Sequence, residues 1–182
     1  MENLYEKTIS KEQIYSGKVI DLYIEEVELP NKKIGKREVV KHPGAVAVLA
    51  VTDEGKMLMV EQFRKPLEKT IIEIPAGKLE KGEDPLECAK RELLEETGFA
   101  CESMESIGSF YTSPGFADEL IHLYYTNTLK IQGDQMTDED EFLNVLELSI
   151  DEAKELMREE KIHDAKTAYS VMYMELTRAL KK

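Results

Sequence analysis

The sequence predicts a sandwich of the α/β or α+β class, preceded by a small antiparallel sheet. Short apolar runs such as Ala45–Thr52 have the length and composition of buried strands. Three later stretches carry helix signals, and an opening block alternates strand-like segments with a turn. The 182 residues, 42% of them apolar, suffice for one domain with a core and an appended sheet.

Taken in order, residues 1–17 give weak signals, with a short strand at most. Lys18–Leu29 turns strand-like through Val19, Ile20, Leu22, Tyr23, Ile24, Val27 and Leu29. Pro30–Gly35 is a turn with Asn31 and Gly35 where turns favour them, and Lys36–Lys41 returns as a second strand. A meander of this size cannot bury both of its faces alone. It must pack against something else, another subunit being one candidate. Ala45–Thr52 reads as a central strand, Asp53–Gly55 as a turn and Lys56–Phe63 as its hairpin partner. Ile71–Ile74 is a further strand leading into Pro75-Ala76-Gly77. Strands at Glu105–Tyr111, Glu119–Leu129 and Phe142–Ile150 follow, separated by the turn-rich Thr112–Ala117 and the acidic Asp134–Asp140. The end is helical. Asp151–Arg158 opens with the acidity of a first turn, and Asp164 caps a last helix reaching Leu180. Ala168, Val171, Met172, Met174, Leu176 and Leu180 mark its apolar side.

A net charge of −13 argues against unaided binding to a polyanion such as duplex DNA, which needs a Lys/Arg surface. It does not exclude a small anionic ligand, because a metal and one or two arginines can neutralise a diphosphate locally. No apolar run approaches the length needed to cross a bilayer, and no signal-peptide pattern opens the chain. Cys88 and Cys101 lack metal-ligand spacing and read as free thiols, Cys88 as a small buried hydrophobe. The expectation is a soluble cytoplasmic protein that engages neither nucleic acid nor membrane.

The chemistry concentrates in Gly77–Phe99. Asp84 is a good N-cap, Pro85 suits the first helical position, and Gly98 fits a left-handed stop. Leu86, Ala89, Leu93 and Leu94 can face a core, while Glu92, Glu95 and Glu96 share another side at three- and four-residue spacing. Like charges so placed destabilise a bare helix by roughly 0.2–0.5 kcal/mol per pair. A hard divalent cation taking oxygen ligands reverses that sign. Gly77 and Gly82, in the loop before the helix, permit tight turns and close approach to a ligand. Carboxylates gathered without a Ser or Cys nucleophile motif suit metal-assisted hydrolysis. Glu92 and Glu96 would address one cation, and Glu95 would hold or bridge a second. Arg91 stands one turn from Glu95, at ion-pair spacing, and Glu83 either supports the cation cluster or caps the helix.

Gly77, Glu83, Arg91, Glu92, Glu95, Glu96 and Gly98, with apolar residues at 93 and 99, match the pattern G-x5-E-x7-R-E-U-x-E-E-x-G-U. The chain therefore resembles the Nudix hydrolases. The resemblance implies an α/β/α sandwich with a mixed sheet over residues 43–182, with residues 1–42 forming the leading antiparallel sheet. It implies a Mg²⁺ cofactor, Mn²⁺ or another divalent cation being an alternative. It adds the Ala76 carbonyl to the ligands Glu92 and Glu96, and counts Glu95 with the catalytic group. Ser113-Pro114-Gly115 beyond the box, with Glu61–Arg64 and Arg37-Glu38 before it, resembles the ADP-ribose pyrophosphatase subgroup. There the acidic run 138–141 carries the base and a further ligand, which fall on Glu139 and Glu141, with Asp138 and Asp140 as substitutes one register away. Arg64 then contacts the diphosphate, Arg37 the adenine side and Glu119 the terminal ribose, with Pro114 and Gly82 completing the substrate contacts. The subgroup exchanges its leading sheet between two subunits, which implies a homodimer. The expected reaction is hydrolysis of ADP-ribose to AMP and ribose 5-phosphate. Another nucleoside diphosphate sugar as substrate, or a non-catalytic nucleotide-sugar sensor, are the alternatives.

Overall fold

The computed structural model describes residues 4–136 and 142–180. The chain divides into two compact units, Met1–Gly44 with Phe110–Leu120, and Ala45–Ser109 with Ile121–Lys182.

In the first unit, strands β1 (Lys7–Ser16), β2 (Asp21–Glu28) and β3 (Ile34–Lys41) form an antiparallel sheet in the order β1-β2-β3. The expected turn sits between β2 and β3, where the Lys33 amide donates to Asn31 Oδ1 at 3.0 Å. The weak opening segment is in fact a ten-residue strand. Its register shifts twice, between Thr8 and Ser10 and between Gln13 and Tyr15. Such irregularities break the period of two that marks a strand in sequence, and every residue of β1 is exposed. Segment 110–120 meets β3: the Val40 amide donates to the Phe116 carbonyl at 2.7 Å, and Asp118 Oδ2 accepts from Lys41 Nζ at 2.8 Å.

The remaining elements are strands β4 (Ala45–Ala50), β5 (Met57–Arg64), β6 (Lys69–Glu73) and β7 (Ala76–Lys78), helix α1 (Pro85–Thr97), strands β8 (Phe99–Cys101), β9 (Glu105–Tyr111), β10 (Leu120–Thr126), β11 (Leu129–Ile131) and β12 (Leu143–Leu148), and helices α2 (Ile150–Arg158) and α3 (Ala165–Leu180). They build a mixed α/β arrangement of several sheets and three helices among the described residues. One sheet runs β7-β4-β10-β9, with β10 parallel and β7 antiparallel to β4. Another runs β12-β5-β6, all antiparallel, and β8 pairs with β11. All six residues of β4 are buried, as a strand covered on both faces requires. On one face Val46, Val48 and Ala50 pack with Cys88, Ala89 and Leu93 of α1, and Leu86 lies against that cluster. No helix among the described residues is long and apolar enough to cross a membrane.

Two expectations need correction. The hairpin between Ala45–Thr52 and Lys56–Phe63 does not form a ladder. Its turn exists, with the Gly55 amide on the Thr52 carbonyl and the Thr52 amide on the Lys56 carbonyl, both at 2.8 Å. Beyond the single bridge Val51–Met57, however, β4 and β5 part into different sheets. Both are apolar and buried, so each needs neighbours along both edges rather than one shared edge. In α3 the inward side also differs from the apolar one. Lys166, Thr167, Ser170 and Val171 are buried, whereas Met172, Leu176 and Leu180 are exposed.

Local chemistry sets the helix ends. Asp84 Oδ1 accepts from the Leu86 and Glu87 amides at 3.0 and 3.2 Å, starting α1. Gly98 ends it at φ +73, its amide on the Leu94 carbonyl at 2.8 Å. A side chain at Gly98 would strike the Gly133 carbonyl. Residues 132–136 close over this helix end. The Met136 amide reaches the Glu95 carbonyl at 2.9 Å, and Gln135 Nε2 reaches the Glu96 carbonyl at 2.6 Å. Helix-end carbonyls that lack an intrahelical partner are thereby satisfied. Ser149 and Glu152 form a reciprocal capping box on α2.

Candidate active site

The box loop and α1 meet at β7. Ala76 pairs with Ala47 of the central strand, and its amide donates to Glu96 Oε2 at 3.0 Å. Glu96 is 1% exposed, so this carboxylate is held inside the fold beside the Ala76 backbone. Gly77 follows, and a Cβ there would overlap the Glu92 carboxylate. The missing side chain is the space in which Glu92 lies. Ala76, Gly77, Glu92 and Glu96 are thus brought together by one strand edge and one helix face.

Arg91 answers the crowding of like charges. Its Nε and Nη2 donate to the two oxygens of Glu83 at 2.9 and 3.0 Å, a paired fork. Its Nη1 donates to Glu92 Oε1 at 2.8 Å and Glu95 Oε2 at 2.9 Å. The Arg91 guanidinium holds the Glu83 carboxyl well below the usual carboxylate range, at about 2. Of the two roles open to Glu83, its contacts here are with Arg91 and with the Glu80 amide at 2.9 Å, which fixes the loop. Burial pushes the Cys88 thiol up to about 12, so it is an inert packing group.

Among the described residues, no three Asp, Glu, His or Cys side chains already surround one point as a cation would require. Arg91 draws Glu83, Glu92 and Glu95 toward itself instead. The donor set nonetheless fits a hard cation: carboxylate oxygens on one helix face, beside a backbone cradle that a Cβ at Gly77 would fill.

The other residues singled out from sequence fall elsewhere. Arg64, at the end of β5, donates from Nε to Glu73 Oε2 at 2.6 Å. Gly82 takes φ +80 with open space around it, so its need is the turn itself. Arg37, Pro114 and Glu119 belong to the first unit. Arg37 forks onto Glu6, at 2.9 Å from Nε and 2.5 Å from Nη2. Pro114 lies in the turn where the Phe116 and Ala117 amides return to the Ser113 carbonyl. Glu119 accepts from the Thr112 hydroxyl at 2.5 Å and stands 3.7 Å from His42 Nε2. Glu139 and Glu141, with Asp138 and Asp140, lie outside the described residues.

Sequence reasoning missed the surroundings of Glu73. This carboxylate is 2% exposed and takes Arg64 on one oxygen and Lys166 Nζ on the other, at 2.5 Å. Lys166 also reaches Asp164 Oδ1 at 2.9 Å. The next residue, Thr167, accepts from the Ile74 amide at 3.1 Å. A separation of 93 residues between Glu73 and Lys166 leaves no local signal. The available hint was a lysine in the first turn of a helix, one residue before a threonine and two after its cap.

The profile of the NUDIX domain family matches residues 41–169. An ADP-ribose pyrophosphatase of Bacillus subtilis (strain 168) is 60% identical over 181 residues, covering 99% of this chain and 98% of that protein. A methanol dehydrogenase activator of Bacillus methanolicus is 59% identical over 177 residues, covering 97% and 96%. The crystal structure of an ADP compounds hydrolase superposes with a TM-score of 0.83 at 16% identity, covering 100% of this chain and 97% of that one, which shows a shared fold. The residues of the box, the fold around them and these likenesses agree: the chain belongs to the NUDIX domain family.

Proposed function

We propose that this chain is a divalent-cation-dependent pyrophosphohydrolase that cuts ADP-ribose into AMP and ribose 5-phosphate. The observation that carries the reading is the junction of β7 and α1, where Glu92 fills the space over Gly77 and Glu96 is fastened to the Ala76 amide. End-to-end likeness to an ADP-ribose pyrophosphatase supports the substrate.

Ala76 (through its carbonyl), Glu92, Glu96 and Glu141 would hold the cation, Mg²⁺ by preference, with Glu95 beside them. When bound, the cation withdraws charge from the diphosphate and acidifies a coordinated water. Glu139 takes the proton as a water oxygen attacks phosphorus. The bond from that phosphorus to the bridging oxygen breaks, and the bridging oxygen leaves on the second phosphate. Support for this part of the reading comes from residues 132–136, which run along the carbonyl end of α1 just before the acidic segment. Arg64 takes the diphosphate with a charge-assisted fork. Arg37 serves the adenine side, Glu119 the terminal ribose, and Pro114 and Gly82 shape the substrate contacts. The protein works as a cytoplasmic homodimer, a state supported by the wholly exposed β1 with its bare Ile9 and Ile14.

A second reading has its own support: a relative almost equally similar bears the name of an activator of another enzyme. One experiment separates the two. The purified protein is incubated with Mg²⁺ and ADP-ribose, ADP-glucose, GDP-mannose or diadenosine polyphosphates, and products are resolved by chromatography. AMP and ribose 5-phosphate should form fastest from ADP-ribose. Preference for a dinucleoside polyphosphate would overturn the substrate. Ligand binding without turnover of any compound would favour a sensor or activator role.

A further inference from the structure

The contacts of Glu73 assign a task to a residue outside the box. Glu73 ends β6, and its carboxylate is almost fully withdrawn from water. A buried carboxylate needs its charge compensated and its oxygens hydrogen-bonded. Both needs are met by two cations, one on each oxygen. Lys166 Nζ takes Oε1, and Arg64 Nε takes Oε2. Lys166 is itself buried and held by Asp164 Oδ1, so it has little freedom to leave. The adjoining bond from the Ile74 amide to the Thr167 hydroxyl ties the first turn of α3 to the same stretch of chain.

This division matters for Arg64. An arginine facing a carboxylate with both oxygens open prefers to grip it by two parallel bonds. Here Lys166 lies on Oε1 and competes for it, and Arg64 makes no second bond to Glu73. Arg64 is left attached by Nε alone. Among the described residues its guanidinium has no other hydrogen-bonding partner, and its side chain is 37% exposed. Nε is anchored while both terminal nitrogens remain available to a ligand.

We propose that Lys166 is a positioning residue that keeps Arg64 singly bonded to Glu73, so that both terminal nitrogens of Arg64 stay free for the substrate's diphosphate. The inference rests on the reading of Arg64 as the diphosphate contact. It extends that reading to α3, which carries no box residue. Lys166 touches no substrate. It acts by competing with Arg64 for Glu73 Oε1.

The test is a cycle of Lys166→Met and Arg64→Ala in the full-length protein with Mg²⁺, reading KM and kcat for ADP-ribose. Arg64→Ala alone should raise KM about tenfold or more, the loss expected of a charge-assisted contact. If it leaves KM unchanged, the diphosphate reading of Arg64 fails. Given that rise, Lys166→Met should also raise KM by about tenfold with kcat within about twofold, since only binding is weakened. In the Arg64→Ala background Lys166→Met should add nothing to KM. A KM unaffected by Lys166→Met, or raised equally in both backgrounds, overturns the positioning role. Removing one partner of a buried pair threatens folding. If Lys166→Met melts below the assay temperature, the cycle is read at a temperature below that melting point, with the same expectations and the same contradicting results. Lys166→Arg, which restores a buried cation against Oε1, should return KM to within about threefold of the parent; a KM as high as that of Lys166→Met contradicts the proposal.

Discussion

Gly77 has no Cβ, and the Glu92 carboxylate fills the place where one would stand. The atoms in conflict are the far end of a flexible side chain, so Gly77→Ala should be cheap for folding and costly for function. Its melting temperature should stay within about 4 °C of the parent, a shift of the order of 1 kcal/mol at this size. Hydrolysis of ADP-ribose at saturating Mg²⁺ should fall at least about tenfold, because a displaced ligand spoils a placement that chemistry needs. Calorimetry and steady-state rates check the two halves, and a parental rate would show that Glu92 is not held there for catalysis. Glu83 supplies a pH test. Its folded pKa, about 2, lies below its ordinary value, so its pairing with Arg91 adds stability above roughly pH 4.3 that disappears as pH falls through 2. Glu83→Gln, studied with a chelator present, should lose on the order of 1 kcal/mol at pH 7, a figure reduced for solvent screening. Urea titrations should show the gap between variant and parent narrowing from pH 5 to pH 2. A gap that widens on acidification would refute the pairing.

Helix α1 is an element whose limits are written locally. Asp84, Pro85 and Gly98 predict its start and stop, and the structure puts the helix at Pro85–Thr97 between these caps. Asp84→Ala leaves the Leu86 and Glu87 amides without their acceptor. It should cost about 1 kcal/mol, lowering the melting temperature by about 2–4 °C in a calorimeter. The turn at Asp53–Gly55 was equally local, yet its meaning was not. A four-residue turn looks alike in sequence whether its strands zip together or diverge into two sheets, and only the distant partners β10 and β12 decide. Strand β1 was hidden for another reason, since two register shifts spoil its alternation and no side chain on it is buried. In α3 the apolar stripe misled, because the helix turns Lys166, Thr167 and Ser170 inward. Polar groups are tolerated there because Glu73 and Asp164 take Lys166, the Ile74 amide donates to Thr167, and the Lys166 carbonyl accepts from Ser170.

Across the whole molecule, the box half of the candidate site was legible because seven residues at fixed spacing lie in one loop and one helix. What surrounds Arg64 was not, because Glu73 and Lys166 meet only through tertiary structure. The homodimer proposed here makes a prediction of its own. If Arg37 serves the partner's site, mixed Arg37→Ala and Glu96→Gln subunits form hybrid dimers carrying one intact site. At equal mixing about a quarter of the parental activity should return after exchange, half the dimers having one good site in two. Activity no higher than that of the separate variants would mean that each site is built from a single chain. The central claim, that the box carboxylates bind a cation against the diphosphate of ADP-ribose, is tested most directly by Glu96→Gln. Hydrolysis of ADP-ribose is followed across a Mg²⁺ titration for the parent and the variant. The parent should release AMP and ribose 5-phosphate only when the cation is supplied. The variant should be slower by about a hundredfold or more and need more Mg²⁺, as expected when a ligand is lost from a metal-assisted reaction. A variant that matches the parent at every Mg²⁺ concentration, or a parent that leaves ADP-ribose intact, would contradict the account.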